Sequence, residues 1–205
     1  MPPPLHFGVI VLAAGVSSRM GQPKMLLPWG KTSVLGHLIG QWRNAGSEEI
    51  AVVLGAGNQG LERELDRLGF PAENRITNPA PELGMFSSIQ CATRWPNWAE
   101  RLTHFVIALG DQPHLQSRTL QDLLDLGARH AQKICQLSRQ GRPRHPVLLP
   151  RGDFQRLAHS THQNLKQFLQ SPPAERAFEE SDDAGLDLDL DTPADYEKAF
   201  RLFRP

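Results

Sequence analysis

Three stretches of the chain put charged side chains where their neighbours would let them act on phosphate. In the first, Leu12, Ala13, Ala14 and Gly15 run into Ser17, Ser18 and Arg19, and Lys24 follows Pro23. Small residues let backbone amides close on a polyanion, and successive amides in such a turn form an anion-binding nest. Arg19 and Lys24 would add fixed positive charge, Lys24 as a compact ammonium. Transfer at an α-phosphorus gathers negative charge on the equatorial and leaving oxygens, so cations and amides aimed there lower the barrier. In the second stretch, Asp111 leaves an apolar run through Gly110, and Pro113 follows. Mg²⁺ takes one or two protein carboxylates and fills its shell with water and phosphate oxygens, so one well-placed aspartate begins a site. The third is Leu186 to Asp191, where leucine and aspartate alternate. If extended, it puts leucines on one face and Asp187, Asp189 and Asp191 on the other. Each stretch also has an ordinary account: a Gly/Ser surface loop with solvated cations, a turn-forming aspartate, an edge strand with a wet face.

Such residues need a scaffold that brings them to one edge, and the pattern of the chain supplies one. Apolar runs rich in Val, Ile and Leu alternate with stretches of helical period, which predicts an α/β protein with a mostly parallel sheet between two helical layers. Strands are expected at Phe7–Ala13, Ile50–Leu54, Arg75–Thr77, Thr103–Leu109, Ile134–Leu137 and Val147–Leu149, with a turn at Gly141–Pro143 before the last. Helices are expected over Thr32–Asn44, Leu61–Leu68, Gly84–Arg94, Leu120–Ala131 and Asp153–Leu169. A final helix opens at Thr192, as N-cap before Pro193, and runs through Phe200, with Asp195 steadying its first turn. In open α/β sheets ligands bind at the carboxyl ends of the strands, where the Leu12–Gly15 loop and Asp111 would then lie.

The segment Leu12 to Gly21, continued by Lys24-Met25-Leu26-Leu27-Pro28, resembles the LAAGxSxRMGxxKxLLP signature of the MobA-like nucleotidyltransferases. Its Ala-Ala-Gly is similar to the cytidylyl branch of molybdenum cofactor enzymes, so the resemblance implies CTP as the donor in preference to another NTP. Asn78-Pro79 with Gly84-Met85 and Ser87-Ser88-Ile89 is similar to the NPxxxxGMxxSI segment near base and sugar, which implies nucleotide-binding roles for Asn78, Gly84, Ser87 and Ser88. Gly110-Asp111-Gln112-Pro113 resembles the GDQP motif, which implies that Asp111 binds Mg²⁺. Asp189-Leu190-Asp191-Thr192-Pro193-Ala194-Asp195-Tyr196 is similar to DIDTPxDY, which implies Asp191, then Asp189, as a further metal ligand. His145-Pro146-Val147 resembles GHPVL beside the acceptor, with Arg144 in place of the usual glycine. A GDxGxR element should follow, and Ala158 to Asn164 has nothing like it. The acceptor implied is therefore a molybdopterin-type pterin or another small phosphorylated compound, with a molybdoenzyme as the eventual client. The implied fold is the Rossmann-like one of nucleotide-diphospho-sugar transferases.

Composition narrows the classes. The 205 residues suit one domain spanning 1–205, and 22 Lys+Arg balance 22 Asp+Glu with no long run of one sign, so the footprint of a nucleic-acid binder is missing. Cys91 and Cys135 match no zinc or redox spacing and suit a reducing cytoplasm. Met1 to Pro4 lack a basic leader pattern, and the apolar run Val9–Ala14 is too short for a membrane span. Two rival readings stand beside the transferase. Gly55, Gly57 and Gly60 spell GxGxxG after a strand, as in an NAD(P)-dependent oxidoreductase, although Asn78 stands near the place of the expected acid. The absent GDxGxR also allows a nucleotide carrier or cofactor chaperone. His159 and His162 could share a helical face, but have no third ligand nearby.

Overall fold

The computed structural model describes residues 5–15 and 17–203; Met1–Pro4, read above for a leader, lie outside the described residues, as does Val16. Among the described residues, nine strands and seven α-helices follow in the order β1 (Phe7–Leu12), β2 (Pro28–Trp29), β3 (Thr32–Ser33), α1 (Val34–Asn44), β4 (Glu49–Gly55), α2 (Gln59–Arg67), β5 (Arg75–Asn78) and α3 (Met85–Thr93). They continue with β6 (His104–Leu109), α4 (Ser117–Arg129), β7 (Ile134–Arg139), β8 (Arg142–Pro150), α5 (Arg151–Leu157), α6 (Leu165–Gln170), β9 (Arg176–Glu180) and α7 (Pro193–Phe203). The main sheet has the order β5-β4-β1-β6-β8-β7-β9, in which β8 alone runs antiparallel to its neighbours.

The alternation along the strands decides which helices lie where. Val9 and Val11 of β1 pack with Leu35 and Trp42 of α1, Leu65 of α2, Leu123 of α4 and Ala199 of α7. Ile10 faces the other way and packs with Ile89 of α3, Phe154 of α5 and Phe168 of α6. Strands buried on both faces read as continuous apolar runs, and β1, β4 and β6 do so because helices cover each side. The layers and the mostly parallel sheet are those that the residue pattern predicts.

Register then sets the site. Leu12 lies opposite Val53 of β4 and Leu109 of β6, so the loops that leave β1 and β6 start side by side. Ala13 N donates to Val53 O at 2.9 Å and Gly110 N donates to Leu12 O at 3.1 Å, which ties those loops to their neighbours.

Several elements depart from expectation. The helix expected over Asp153–Leu169 is two short helices, because Asn164 caps α6 by accepting from Gln167 N at 3.0 Å. Leu186–Asp191 is no strand: a 3-10 turn covers Ala184–Asp187 and the rest crosses the end of the sheet. Its leucines are nonetheless buried, so the period-two reading of faces holds without a ladder. Strand β9 and the β2–β3 hairpin were not anticipated from the residue pattern. Thr192 and Asp195 cap α7 reciprocally: Thr192 N donates to Asp195 Oδ2 at 2.9 Å, and Asp195 N to Thr192 Oγ1 at 3.3 Å.

Candidate active site

A cleft of about 570 Å³ opens at the carboxyl ends of β1 and β6. One wall is Leu12, Ala13, Ala14 and Gly15; the other is Pro81, Glu82, Gly84, Met85 and Ser88; Lys24, Met25, Gly110 and Asp111 close its end. Gly84 has φ of 89°, a left-handed value that suits glycine, and it turns the chain into α3. Met85 and Ser88 of that helix line the cleft, and Ser87 N donates to Gly84 O at 3.2 Å.

The charged residues converge although they lie far apart in sequence. Lys24 Nζ stands 2.6 Å from Asp111 Oδ2 and 3.7 Å from Asp191 Oδ1, and Arg19 Nη2 is 3.0 Å from Asp191 Oδ2. The lysine and Asp111 side chains are only 14% and 20% exposed, whereas Arg19 is 70% exposed. Lys24 opens a single 3-10 turn, Lys24–Leu26, whose Met25 is buried beneath the cleft, and Lys24 N donates to Ser17 Oγ at 3.3 Å. Met20, also buried, pins the preceding turn, with its N–H on Ser17 O at 3.0 Å. Burial, then the neighbouring Asp111 carboxylate, pushes the Asp189 carboxyl above its ordinary value, while the 2.9 Å bond from Gln112 Nε2 pulls it back.

The leucine–aspartate segment acts as a strap across the sheet edge. Leu190 N donates to Asp111 O at 3.0 Å, and each aspartate is tied to a different strand end. Asp191 holds Arg19 after β1, Asp189 holds Gln112 after β6, and Asp187 pairs with Arg139 of β7 at 3.1 Å and with Arg144 of β8.

The remaining expected residues fall into two groups. Ser88 and Gly84 line the cleft, whereas Asn78 is buried behind it and donates to Ser87 Oγ at 2.8 Å and Ser88 Oγ at 2.9 Å. Asn78 Oδ1 also accepts from Ala80 N at 2.9 Å, so its amide shapes the wall. Ser18 lies in an exposed turn outside the cleft lining. The antiparallel β8 brings His145 and Pro146 beside the end of β6, since Val147 pairs with Ile107. Burial holds the His145 imidazole below its ordinary value, and its Nδ1 is buried without a partner among the described residues. Gln112, Met25, Glu82 and Met85 also help build the site; all four sit inside or beside the motifs quoted above, which was the only signal for them.

The glycines of GxGxxG have packing reasons of their own. A Cβ on Gly55 would meet Ala14 O at 3.3 Å, Gly57 needs φ of 76°, and Asn58 caps α2 by accepting from Leu61 N at 3.2 Å. His162 is spent on Ser160 Oγ and Ser171 Oγ, each at 2.9 Å. Among the described residues, no cluster of three or more His, Cys, Asp and Glu is arranged to hold a metal. Two carboxylates suffice for an ion that keeps water and phosphate oxygens. Asp111 and Asp191 fit that role: an ammonium already stands between them, and Asp111 Oδ1 is buried with no partner among the described residues.

The mostly parallel sheet between two helical layers is the nucleotide-diphospho-sugar transferase fold, and two cations and two carboxylates meet at one of its edges. The chain belongs to the family described as the MobA-like NTP transferase domain, whose model matches residues 9–178. It is 30% identical over 188 residues to the molybdenum cofactor cytidylyltransferase of Escherichia coli K12, covering 91% of this chain and 92% of that one. In three dimensions it is similar to Rv0371c of Mycobacterium tuberculosis, with a TM-score of 0.74, 26% identity, and 97% and 99% of the two chains covered. A structure of Rv0371c in complex with manganese gives a TM-score of 0.69 at 24% identity, over 96% and 99% of the chains.

Proposed function

We propose that the protein, acting as one catalytic unit, moves CMP from CTP to a phosphorylated small molecule, with molybdopterin or its molybdenum-loaded form as the acceptor. The observation that carries this reading is the meeting of Lys24, Arg19, Asp111 and Asp191 at the end of a cleft walled by Leu12–Gly15. The Ala13-Ala14 pair and the likeness to a cytidylyltransferase over most of both chains support CTP and the pterin.

Each residue then has a physical task. The amides of Ala14 and Gly15 receive the triphosphate, and Lys24 and Arg19 meet its charge as it develops. The acceptor phosphate, mostly ionised near neutral pH because its second pKa is about 6, attacks the α-phosphorus in line. A new P–O bond forms, the α–β bridging P–O bond breaks, and the electron pair leaves on pyrophosphate beside Lys24. No general base and no covalent enzyme intermediate are needed. Asp111 and Asp191 would hold Mg²⁺, which supplies charge neutralisation on the phosphate oxygens when bound. His145, kept neutral by burial, stands near the acceptor's place without adding charge.

No helix among the described residues is long and apolar enough to cross a membrane, and both cysteines are free, which accords with work in the cytoplasm on behalf of a molybdoenzyme client. The test is pyrophosphate release with each of the four NTPs, Mg²⁺ and molybdopterin. The expected result is CTP-selective, acceptor-dependent release that falls at least about a hundredfold in Asp111→Ala and in Lys24→Ala. Binding of CTP without turnover of the pterin would move the acceptor to another phosphorylated compound, and failure to bind any NTP would sink the reading.

A further inference from the structure

We infer that Lys24 occupies the cation position between Asp111 and Asp191 until a triphosphate draws it away, so that nucleotide binds before the divalent metal. The inference rests on the nucleotidyl-transfer reading above and adds an order of binding to it.

The two carboxylates that would hold the metal are the two that Lys24 already neutralises, at 2.6 Å and 3.7 Å. A divalent ion of the Mg²⁺ kind needs carboxylate oxygens at about 2.0–2.1 Å. Seated on Asp111 while Lys24 remained on Oδ2, such an ion would set cation against cation across one carboxylate. The lysine is also well placed to leave. Its backbone is pinned through Ser17, its four-carbon stem is flexible, and its side chain lines the same cleft as Ala13, Ala14 and Gly15. Phosphates arriving on the Ala14 and Gly15 amides offer the ammonium a second set of anions without any backbone shift. Asp111 Oδ2 is then released, beside an Oδ1 that is already buried without a partner among the described residues. Arg19 is not equivalent, because among the described residues its ion pair is with Asp191 alone, at 3.0 Å, and it is largely exposed.

By linkage, nucleotide must strengthen metal binding and metal must strengthen nucleotide binding by one factor. Mn²⁺ is the probe, with free ion counted by electron paramagnetic resonance, on wild type, Lys24→Met and Arg19→Met, each with and without a CTP analogue that cannot be cleaved between the α- and β-phosphates. Without nucleotide, wild type should bind Mn²⁺ weakly and Lys24→Met should bind it on the order of tenfold more tightly, while Arg19→Met changes little. The analogue should raise the wild-type affinity by a similar factor. Lys24→Met binding Mn²⁺ no more tightly than wild type would overturn the inference, as would an equal gain in Arg19→Met, which would mean general loss of positive charge. Should circular dichroism show Lys24→Met unfolded, the wild-type pair decides: Mn²⁺ affinity unmoved by the analogue overturns the idea. Calorimetry of the analogue without metal separates the two claims. A protein that takes up no nucleotide loses the proposed function, whereas the nucleotide-free Mn²⁺ comparison reads Lys24 alone.

Discussion

Gly110 stands where the strand carrying Asp111 comes closest to the loop that would take the phosphates. A Cβ there would lie 2.6 Å from Leu12 O and 2.8 Å from Met25 Sδ, distances that require something to shift. Gly110→Ala should therefore cost about 2 kcal/mol, read as a lower urea midpoint with unchanged slope, and it should weaken CTP binding more than a remote substitution of equal cost. Equal stability in the variant would mean that the β1 and β6 ends are looser than the hydrogen bond from Gly110 N to Leu12 O implies. The motif places a glycine before the aspartate, but the reason for it, Met25 packed from a one-turn helix far upstream, exists only in the folded chain. Asn78 teaches the same lesson: its type and position suggest a group facing the nucleotide, and its amide is spent on Ser87, Ser88 and Ala80.

The strap over Ala184–Asp191 is the element on which the site depends most. Leu186, Leu188 and Leu190 anchor it in the core shared by α1 and α4, which leaves its aspartates at the strand ends. Leu190 is fully buried, so Leu190→Ala should destabilise by about 3 kcal/mol through lost burial and a residual cavity, measured by thermal or urea unfolding. The same change should lower pyrophosphate release per folded molecule, because Leu190 N is bonded to Asp111 O and Asp191 is the next residue. Full specific activity in a destabilised variant would show that the strap serves stability alone. Period two in Leu186–Asp191 correctly separates inward leucines from outward aspartates, yet it reads as an edge strand, because alternation reports which side is buried and says nothing of whether a neighbour supplies a ladder. Strand β9 fails in the opposite way: Arg176–Glu180 is polar and half exposed at the sheet's edge, so no apolar run announces it, and its place beside β7 depends on the chain returning there.

Across the whole molecule, four histidines are held below the ordinary imidazole value of 6.5, each chiefly by burial: His37, His104, His114 and His145. A group whose pKa is lower folded than unfolded binds protons better in the unfolded chain. Its share of stability is complete above the unfolded value and is lost as pH falls below it, at up to about 1.4 kcal/mol per pH unit for each group until the folded value is reached. Urea midpoints should therefore fall between about pH 7.5 and pH 5.5, and a flat profile would mean that these rings take up protons without unfolding. His104 is a clean single test, with its ring between Thr103 Oγ1 at 2.8 Å and Ala131 O at 2.9 Å. His104→Gln should lower stability at neutral pH and make the acid slope shallower.

The amino-acid sequence by itself determined the α/β class, the order of the main strands and helices, and the loop, motif aspartates and cations that gather at the site. These are local properties: burial on both faces makes β1, β4 and β6 apolar, and small residues beside cations mark a phosphate loop wherever it folds. Only the tertiary structure decided that Asp191 would reach Lys24 and Arg19, that Asp187 and Asp189 would bind other strand ends, and that one ammonium would sit between two carboxylates. Those contacts join residues from 43 positions apart, Arg144 and Asp187, to 172 apart, Arg19 and Asp191. Sheet register and the path of the strap set them, and neither leaves a periodic trace in the chain.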